Sequence, residues 1–359
     1  MTLRGDTRAV RVGSLTVGGG AKVSVQSMTN TPTADVDRTL AQIRALEAAG
    51  CEIVRFAVPD AEAAASIKAI RRGTGLPLVA DVHFDHRLAI AAIENGADKV
   101  RINPGNIGSD AKVRELAACA SDHGVPVRIG VNGGSLPKHI LEKCGGPTAG
   151  ALVEAALEHV ALLEACGFYD MILSLKASSV PVTVEAYAAA AGRVQYPLHL
   201  GVTEAGHAQP GLVKSAVGIG ALLLMGIGDT LRVSLTGDPV QEVAAGRDIL
   251  VAAGLRRFGP EIVSCPTCGR CEHDLESIVR AVRARLTHVN APIRVAVMGC
   301  VVNGPGEAAE ADAGIACGKD RGALFKNGKL LRTLPMEGIV EALVNEIETL
   351  PGIDQSTKE

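Results

Sequence analysis

The feature that most constrains this chain is a regular alternation of short apolar runs with longer Ala/Leu/Glu-rich runs over roughly its first 250 residues. The short runs read as strands at Lys22–Met28, Glu52–Val58, Leu78–Phe84, Lys99–Asn103, Pro126–Val131, Met171–Leu175, Pro197–Val202 and Leu231–Leu235. Each precedes a run that can form a helix. Asp35–Ala49 and Ala149–Cys166 are the clearest, with apolar residues at helical spacing. Eight such units in about 250 residues match a closed (β/α)8 barrel; an open doubly wound sheet shares the alternation and is the alternative. Aromatic residues make up 2% of the chain and Trp is absent, so small aliphatic side chains must fill the core, as in repeated β/α units. Two short β-prone runs, Val10–Val17 and Ala21–Ser27, flank a glycine cluster before the rhythm sets in.

The rhythm stops near Gly254–Val263, which reads as a connector. The expected organisation is therefore a barrel over residues 1–255 and a small α+β domain over 256–359. In the latter, Asp274–His288 is expected to be helical, Ile293–Met298 a strand, Gly299–Glu307 a glycine-rich loop and Glu337–Leu350 a helix. Leu324–Leu330 reads as a hairpin, because Asn327-Gly328 tolerates the positive φ of a tight turn.

In such a barrel the working residues stand at the C-terminal ends of the strands. Arg55, Arg101, Arg128 and Lys176 come from four separate units, with Asn103 and Asn132 beside two of them. Four unpaired cations at one mouth would repel each other. A polyanion removes that difficulty, and guanidinium forks suit phosphate oxygens. For any single Arg the plainer reading is an ion pair with Asp81, Glu52 or Glu204. Asp81 and His83 could orient a substrate, carry protons or only hold structure. Ser234 could add a hydrogen bond. Glu204, were it to stand beside a bound polyanion, would be expected to gain proton affinity, as suits a proton donor.

The small domain opens with Cys265-Pro266-Thr267-Cys268-Gly269-Arg270-Cys271, and Cys300 follows the predicted strand. Two cysteines separated by two residues can grip a metal or cluster from one turn. A structural zinc held by Cys265, Cys268, Cys271 and Cys300 stays open on spacing alone. Cys271 reads as a spectator, and Cys317 as a buried packing residue.

SCPTCGR followed by VMGCVVNGPGEA resembles the cluster-binding signature of the bacterial 4-hydroxy-3-methylbut-2-enyl diphosphate synthases. VQSMTNT, VRINPGNIG, RIGVNGGSL, SLKAS and HLGVTEAG resemble that family's strand ends, so the likeness covers nearly the whole chain. The cysteine loop is also similar to that of sulfite and nitrite reductases, without their duplication. The resemblance implies a 4Fe–4S cluster bound by Cys265, Cys268, Cys300 and Glu307, with the carboxylate as its most labile ligand. A Cys at position 271 departs from the family pattern. It implies substrate contacts from Arg55, Arg101, Arg128, Asn132 and Lys176, and an active-site role for Glu204. The implied reaction opens 2-C-methyl-D-erythritol 2,4-cyclodiphosphate reductively, with flavodoxin or ferredoxin as electron donor. It further implies a head-to-tail homodimer in which one copy's cluster domain caps the partner's barrel. The rivals are another phosphate-substrate barrel enzyme with a zinc domain, and an iron–sulfur electron carrier.

A net charge of −3 argues against a generally basic nucleic-acid binder. No apolar run reaches the length of a membrane span. The opening MTLRGDTRAV lacks the apolar stretch of a secretory signal. Nine cysteines without such a signal are expected to be reduced thiols in the cytoplasm, some of them metal ligands.

Overall fold

The computed structural model describes residues 2–103, 110–300, 304–351 and 353, with the side chains of residues 208, 304, 305 and 307 outside the description. The chain divides into two compact units, Met1–Arg256 and Arg257–Glu359.

The first unit is the barrel that the alternation predicts. A short antiparallel hairpin, β1 (Val10–Val12) and β2 (Leu15–Val17), precedes eight parallel strands. These are β3 (Ser24–Met28), β4 (Ile53–Ala57), β5 (Leu78–Asp81), β6 (Lys99–Ile102), β7 (Val127–Asn132), β8 (Met171–Lys176), β9 (His199–Leu200) and β10 (Thr230–Leu231). Pairing runs β8-β7-β6-β5-β4-β3-β10-β9, and a parallel bridge from Leu173 to Leu198 joins the two ends. The ring is closed, which excludes the open sheet. Val10, Val12 and Val17 of the hairpin pack on Ile53, Val79 and Ile172, near the starts of β4, β5 and β8. One end of the barrel is thus floored with apolar side chains, and the C-terminal strand ends are left to form the mouth.

The outer helices begin where a side chain can satisfy an open backbone N–H. Asp60 accepts from Ala63 N at 2.8 Å, Thr148 from Ala151 N at 3.2 Å and Asp238 from Val240 N at 2.9 Å. These caps fix the helices beginning at Ala61, Ala149 and Pro239.

Strand β10 is shorter than the expected Leu231–Leu235. Glu242, 3% exposed, explains this: it takes Arg232 Nε and Nη2 at 3.1 Å each and Leu235 N at 3.0 Å. The backbone of Leu235 is therefore bonded to a side chain rather than to a ladder.

The second unit is a five-stranded mixed sheet in the order β11 (Glu261–Ser264), β12 (Arg294–Met298), β13 (Ala313–Ala316), β14 (Arg321–Lys326) and β15 (Lys329–Pro335). The first three are parallel and the last two antiparallel. Helices Leu275–Arg285 and Ile339–Glu348 cover one face, burying Val282, Leu343 and Ile347 with Ile315 and Leu324. Ala308, in helix Gly304–Ala309, packs with Ala296, Ala316 and Phe325 in a separate cluster. Asn327 and Gly328 take positive φ of 46° and 76°, as the hairpin requires. Two expectations change. The segment read as a connector contributes β11, because Glu261–Ser264 finds a partner in β12. The loop expected over Gly299–Glu307 ends in helix, from Gly304 onward.

Leu343 is wholly buried in the small unit. Leu343→Ala should cost about 2–5 kcal/mol of that unit's stability, measured by urea denaturation with far-UV circular dichroism. A loss below about 1 kcal/mol would show that this helix does not anchor the sheet.

Candidate functional site

Successive residues of a strand point to opposite sides, so the parallel registers decide which residues enter the barrel. Arg55 of β4, Asp81 of β5, Arg101 of β6 and Arg128 of β7 meet inside it. Arg101 Nη1 donates to Asp81 Oδ1 at 3.1 Å, and Arg55 Nε lies 3.7 Å from Asp81 Oδ2. Arg128 Nη1 reaches across the barrel to Gln26 Oε1 of β3 at 3.3 Å. Lys176 ends β8 and is 7% exposed. Asn132, with its amide turned to satisfy both atoms, accepts from Arg101 Nη2 at 3.3 Å. Asn103 donates to Ser135 Oγ at 3.3 Å.

Two glycines make room for these long side chains. A Cβ at Gly130 would fall 2.3 Å from Arg101 Nε, and one at Gly201 would fall 2.5 Å from Lys176 Nζ. Neither position tolerates a side chain while the cations keep their places.

Of the three acids available for simple ion pairs, only Asp81 serves the mouth. Glu52 binds Arg256 Nη1 at 2.9 Å and Val25 N at 2.9 Å. Glu204 is exposed, holds a φ of 52° in the turn after β9, and makes no ion pair among the described residues. Burial alone would raise the Asp81 carboxyl. Arg55, the His83 hydrogen bond and Arg101 overcome that and hold it well below the usual carboxylate range. His83 Nε2 stands 3.5 Å from Asp81 Oδ2 and 3.3 Å from Arg101 Nη1. Burial brings the Arg55 guanidinium down to about 10 despite Asp81. Burial, followed by neighbouring cations, also pushes Arg128 and Lys176 well below their ordinary values. The mouth therefore gathers Arg55, Arg101, Arg128 and Lys176 around a single carboxylate. Ser234 lies half-buried in the loop after β10, outside the strand expected to carry it.

The sequence reading missed four interior polar residues: Gln26, Lys99, His199 and Arg232. Arg232 is explained by its pair with Glu242 at 3.1 Å. Lys99 and His199 are both wholly buried. Only their alternation with Arg101 and Gly201 along β6 and after β9 could have signalled that they face inward.

In the second unit, Cys265 and Cys317 directly follow β11 and β13, and Cys300 stands two residues past β12, the strand between them. Their thiols start from strand ends about 4.8 Å apart in sequence of pairing. Gly299 N donates to Cys265 Sγ at 3.2 Å. Cys271 N donates to Cys268 O at 2.9 Å, closing the turn that holds the cysteine pair. A Cβ on Gly299 would sit 2.6 Å from Cys271 Sγ, so that glycine admits the third thiol of the run. Cys317 is 1% exposed, as its packing role predicts, and burial beside Cys271 and Cys265 pushes its thiol up to about 11. Among the described residues no three His, Cys, Asp or Glu side chains are grouped tightly enough to hold a single metal ion. Glu307 lies on helix Gly304–Ala309, and its side chain is outside the described residues.

Residues 7–247 match the GcpE TIM-barrel domain, and residues 261–349 the GcpE protein C-terminal domain. The chain belongs to the GcpE family. A GcpE relative from Caldanaerobacter subterraneus, named 4-hydroxy-3-methylbut-2-en-1-yl diphosphate synthase (flavodoxin), is 56% identical over 97% of this chain and 98% of its own. The protein of that name from Geobacter sulfurreducens is 55% identical over 97% and 99%. Among solved structures, Yersinia pestis dihydropteroate synthase matches with a TM-score of 0.50 at 13% identity, covering 68% of this chain and 98% of that one. Geobacillus kaustophilus 3-dehydroquinate dehydratase matches equally, at 0.50 and 15%, over 68% and 97%. Both show the fold of the GcpE barrel and nothing more. No helix among the described residues is long and apolar enough to cross a membrane.

Asp81 is the one carboxylate binding two buried guanidiniums here, so Asp81→Asn should destabilise the barrel by about 3–5 kcal/mol at neutral pH. A carboxylate whose folded pKa is depressed contributes its stability above its unfolded pKa and loses it as pH falls through the folded one. The deficit of the variant should therefore shrink below about pH 4. Parallel denaturation curves across that range check the assignment; a deficit independent of pH would remove it.

Proposed function

We propose that this chain reductively opens 2-C-methyl-D-erythritol 2,4-cyclodiphosphate to 4-hydroxy-3-methylbut-2-enyl diphosphate. One ring C–O bond breaks, a hydroxyl leaves as water, and two electrons and two protons balance the change. The observation that carries the reading is the barrel mouth, where Arg55 and Arg101 pair with the carboxylate of Asp81 while buried Arg128 and Lys176 make no ion pair among the described residues. That excess of buried positive charge suits a ligand with two adjacent phosphates. The names of relatives at 55–56% identity supply which diphosphate.

The four cations take the diphosphate oxygens, with Asn132 and Ser234 adding hydrogen bonds. Asp81 holds Arg55 and Arg101 at fixed positions, so the forks are aimed before the ligand arrives. Glu204, presented from the turn after β9, gives its proton to the departing hydroxyl. Gly130 and Gly201, lacking a Cβ, let Arg101 and Lys176 lie against the backbone, where Arg101 Nη2 donates to Gly130 O at 3.2 Å.

The cysteines suit an iron–sulfur group in kind: Cys265 and Cys300 follow neighbouring parallel strands, and a backbone N–H already donates to the Cys265 sulfur. A 4Fe–4S cluster held by Cys265, Cys268, Cys300 and Glu307 would supply the electrons singly, refilled by flavodoxin or ferredoxin. The reading includes a head-to-tail homodimer, in which one copy's cysteine unit serves the partner's barrel.

Anaerobic purification should give about four iron and four sulfide per chain, and the loaded protein should convert the cyclic diphosphate when reduced. Zinc in their place, or no conversion, would overturn the assignment. Glu307→Gln should keep most of the iron while lowering turnover at least about tenfold, since a carboxylate is the more labile ligand. Unchanged turnover would remove Glu307 from the site. Cys300→Ser and Arg128→Ala should each abolish turnover, and subunit exchange between them should restore part of it. Exchanged dimers that stay inactive would place the reaction within one chain.

A further inference from the structure

Lys99 stands two residues before Arg101 on β6, on the same inward face but nearer the floor. It is wholly enclosed, and its Nζ has no hydrogen-bond partner among the described residues. The charges that act on it come from other strands of the barrel, Arg128 on β7 and Arg55 on β4, and the buried His199 of β9 lies within its field. Asp81 is already engaged by Arg55, Arg101 and His83. The other buried acids of this unit are engaged too: Glu242 by Arg232 and Ser27, and Asp229 by the Thr7 hydroxyl and the Leu198 N–H. A charged ammonium here would meet cations and no acceptor. Guanidiniums cannot shed their protons to relieve such crowding, whereas a buried lysine can. Burial, then Arg128 and Arg55, accordingly push Lys99 well below its ordinary value.

We propose that Lys99 is a further binding residue for the diphosphate, neutral in the empty barrel and protonated when the dianion enters. The lowest cation of the site is thus made by the ligand itself. This rests on the function proposed above and adds to it a proton taken up on binding. The ligand cannot be the source of that signal. In a cyclic diphosphate each phosphorus carries one acidic oxygen, fully ionised near neutrality. It lacks the terminal phosphate whose second ionisation falls near pH 6. Binding affinity should therefore be greatest below the empty-state pKa of Lys99. It should fall as pH rises toward the usual lysine value, by at most about tenfold per pH unit.

The test is calorimetric titration of the full chain with the cyclic diphosphate, without reductant, in buffers of different ionisation enthalpy at one alkaline pH. The wild type should take up about one proton per ligand bound. Lys99→Met, uncharged and of similar length, should still bind but take up none. Its Tm should equal or exceed that of the wild type, because removing a buried amine with no hydrogen-bond partner relieves the fold. A residue kept only for structure would instead lower the Tm and leave the proton count alone. Binding without proton uptake in the wild type overturns the proposal, whatever the variant does. So does wild-type uptake surviving in Lys99→Met, or its loss only in Lys176→Met. Should the methionine variant fail to fold, Lys99→Gln gives the same comparison. Absence of any binding by the wild type would overturn the proposed function itself, and Lys99's role with it.

Discussion

Everything around the barrel mouth depends on one imbalance: positive side chains share its interior with almost no negative charge. Asp81 is a single carboxylate between Arg55 and Arg101. Arg128 has only the amide oxygen of Gln26 as a side-chain acceptor, and Lys99 has no acceptor among the described residues. Two like charges roughly 7 Å apart repel by about 2 kcal/mol at an effective dielectric of about 20. Several such pairs are a large fraction of a domain's net stability. The remainder of the unit has to offset them. The apolar hairpin floor, the closed ring of ladders and the capped helices do so without placing an acid near the mouth. Where an acid does enter the interior, as Glu242 does, it is fully committed to Arg232, Ser27 and the backbone of Leu235.

The two units, different in architecture, collect their chemistry at the same kind of place. In both, functional side chains come from neighbouring parallel strands, from within β4, β6 and β7 and the end of β8 in the barrel and from just past the strands in the small sheet. A parallel strand that has finished its ladder releases its backbone at an edge shared with its neighbours. Side chains from distant parts of the sequence are thereby brought to neighbouring positions. In the barrel this assembles cations from β4, β6, β7 and β8. In the small sheet it assembles Cys265, Cys300 and Cys317 from β11, β12 and β13. Glycines do matching work in each: Gly201 leaves room for Lys176 as Gly299 leaves room for Cys271.

The fold was largely legible because its signal is periodic. Eight apolar runs separated by amphipathic ones leave few ways to bury every sheet face. Arg55, Arg101, Arg128 and Lys176 were legible because a charge inside an apolar strand is conspicuous. What escaped was height within the barrel. Lys99 opens the predicted strand Lys99–Asn103, and a strand start is a common place for a solvated lysine. Only closure of the ring and the hairpin beneath it turn that position into an enclosed one. Glu242 escaped for a related reason: on a helix it reads as a surface acid, and only the packing of that helix turns it inward. The early end of β10 follows from Glu242, so neither could be seen without the other. Strand β11 was hidden because four residues beside a glycine- and arginine-rich run resemble a linker until a partner strand is present.

The same imbalance bears on selectivity. A site built from neutral donors would accept a phosphate ester almost as readily as a diphosphate. Here each added negative charge relieves repulsion among several cations at once, so a second ligand charge still adds to the gain while surplus positive charge remains. A ligand with two ionised phosphates is therefore favoured over one with a single phosphate by more than the count of its hydrogen bonds. The empty barrel is its own least favourable state, and any bound polyanion stabilises it by mass action. On the proposed function, stability given up inside the barrel is the physical source of a preference for doubly charged ligands, and a substitution that relaxes the interior should weaken that preference.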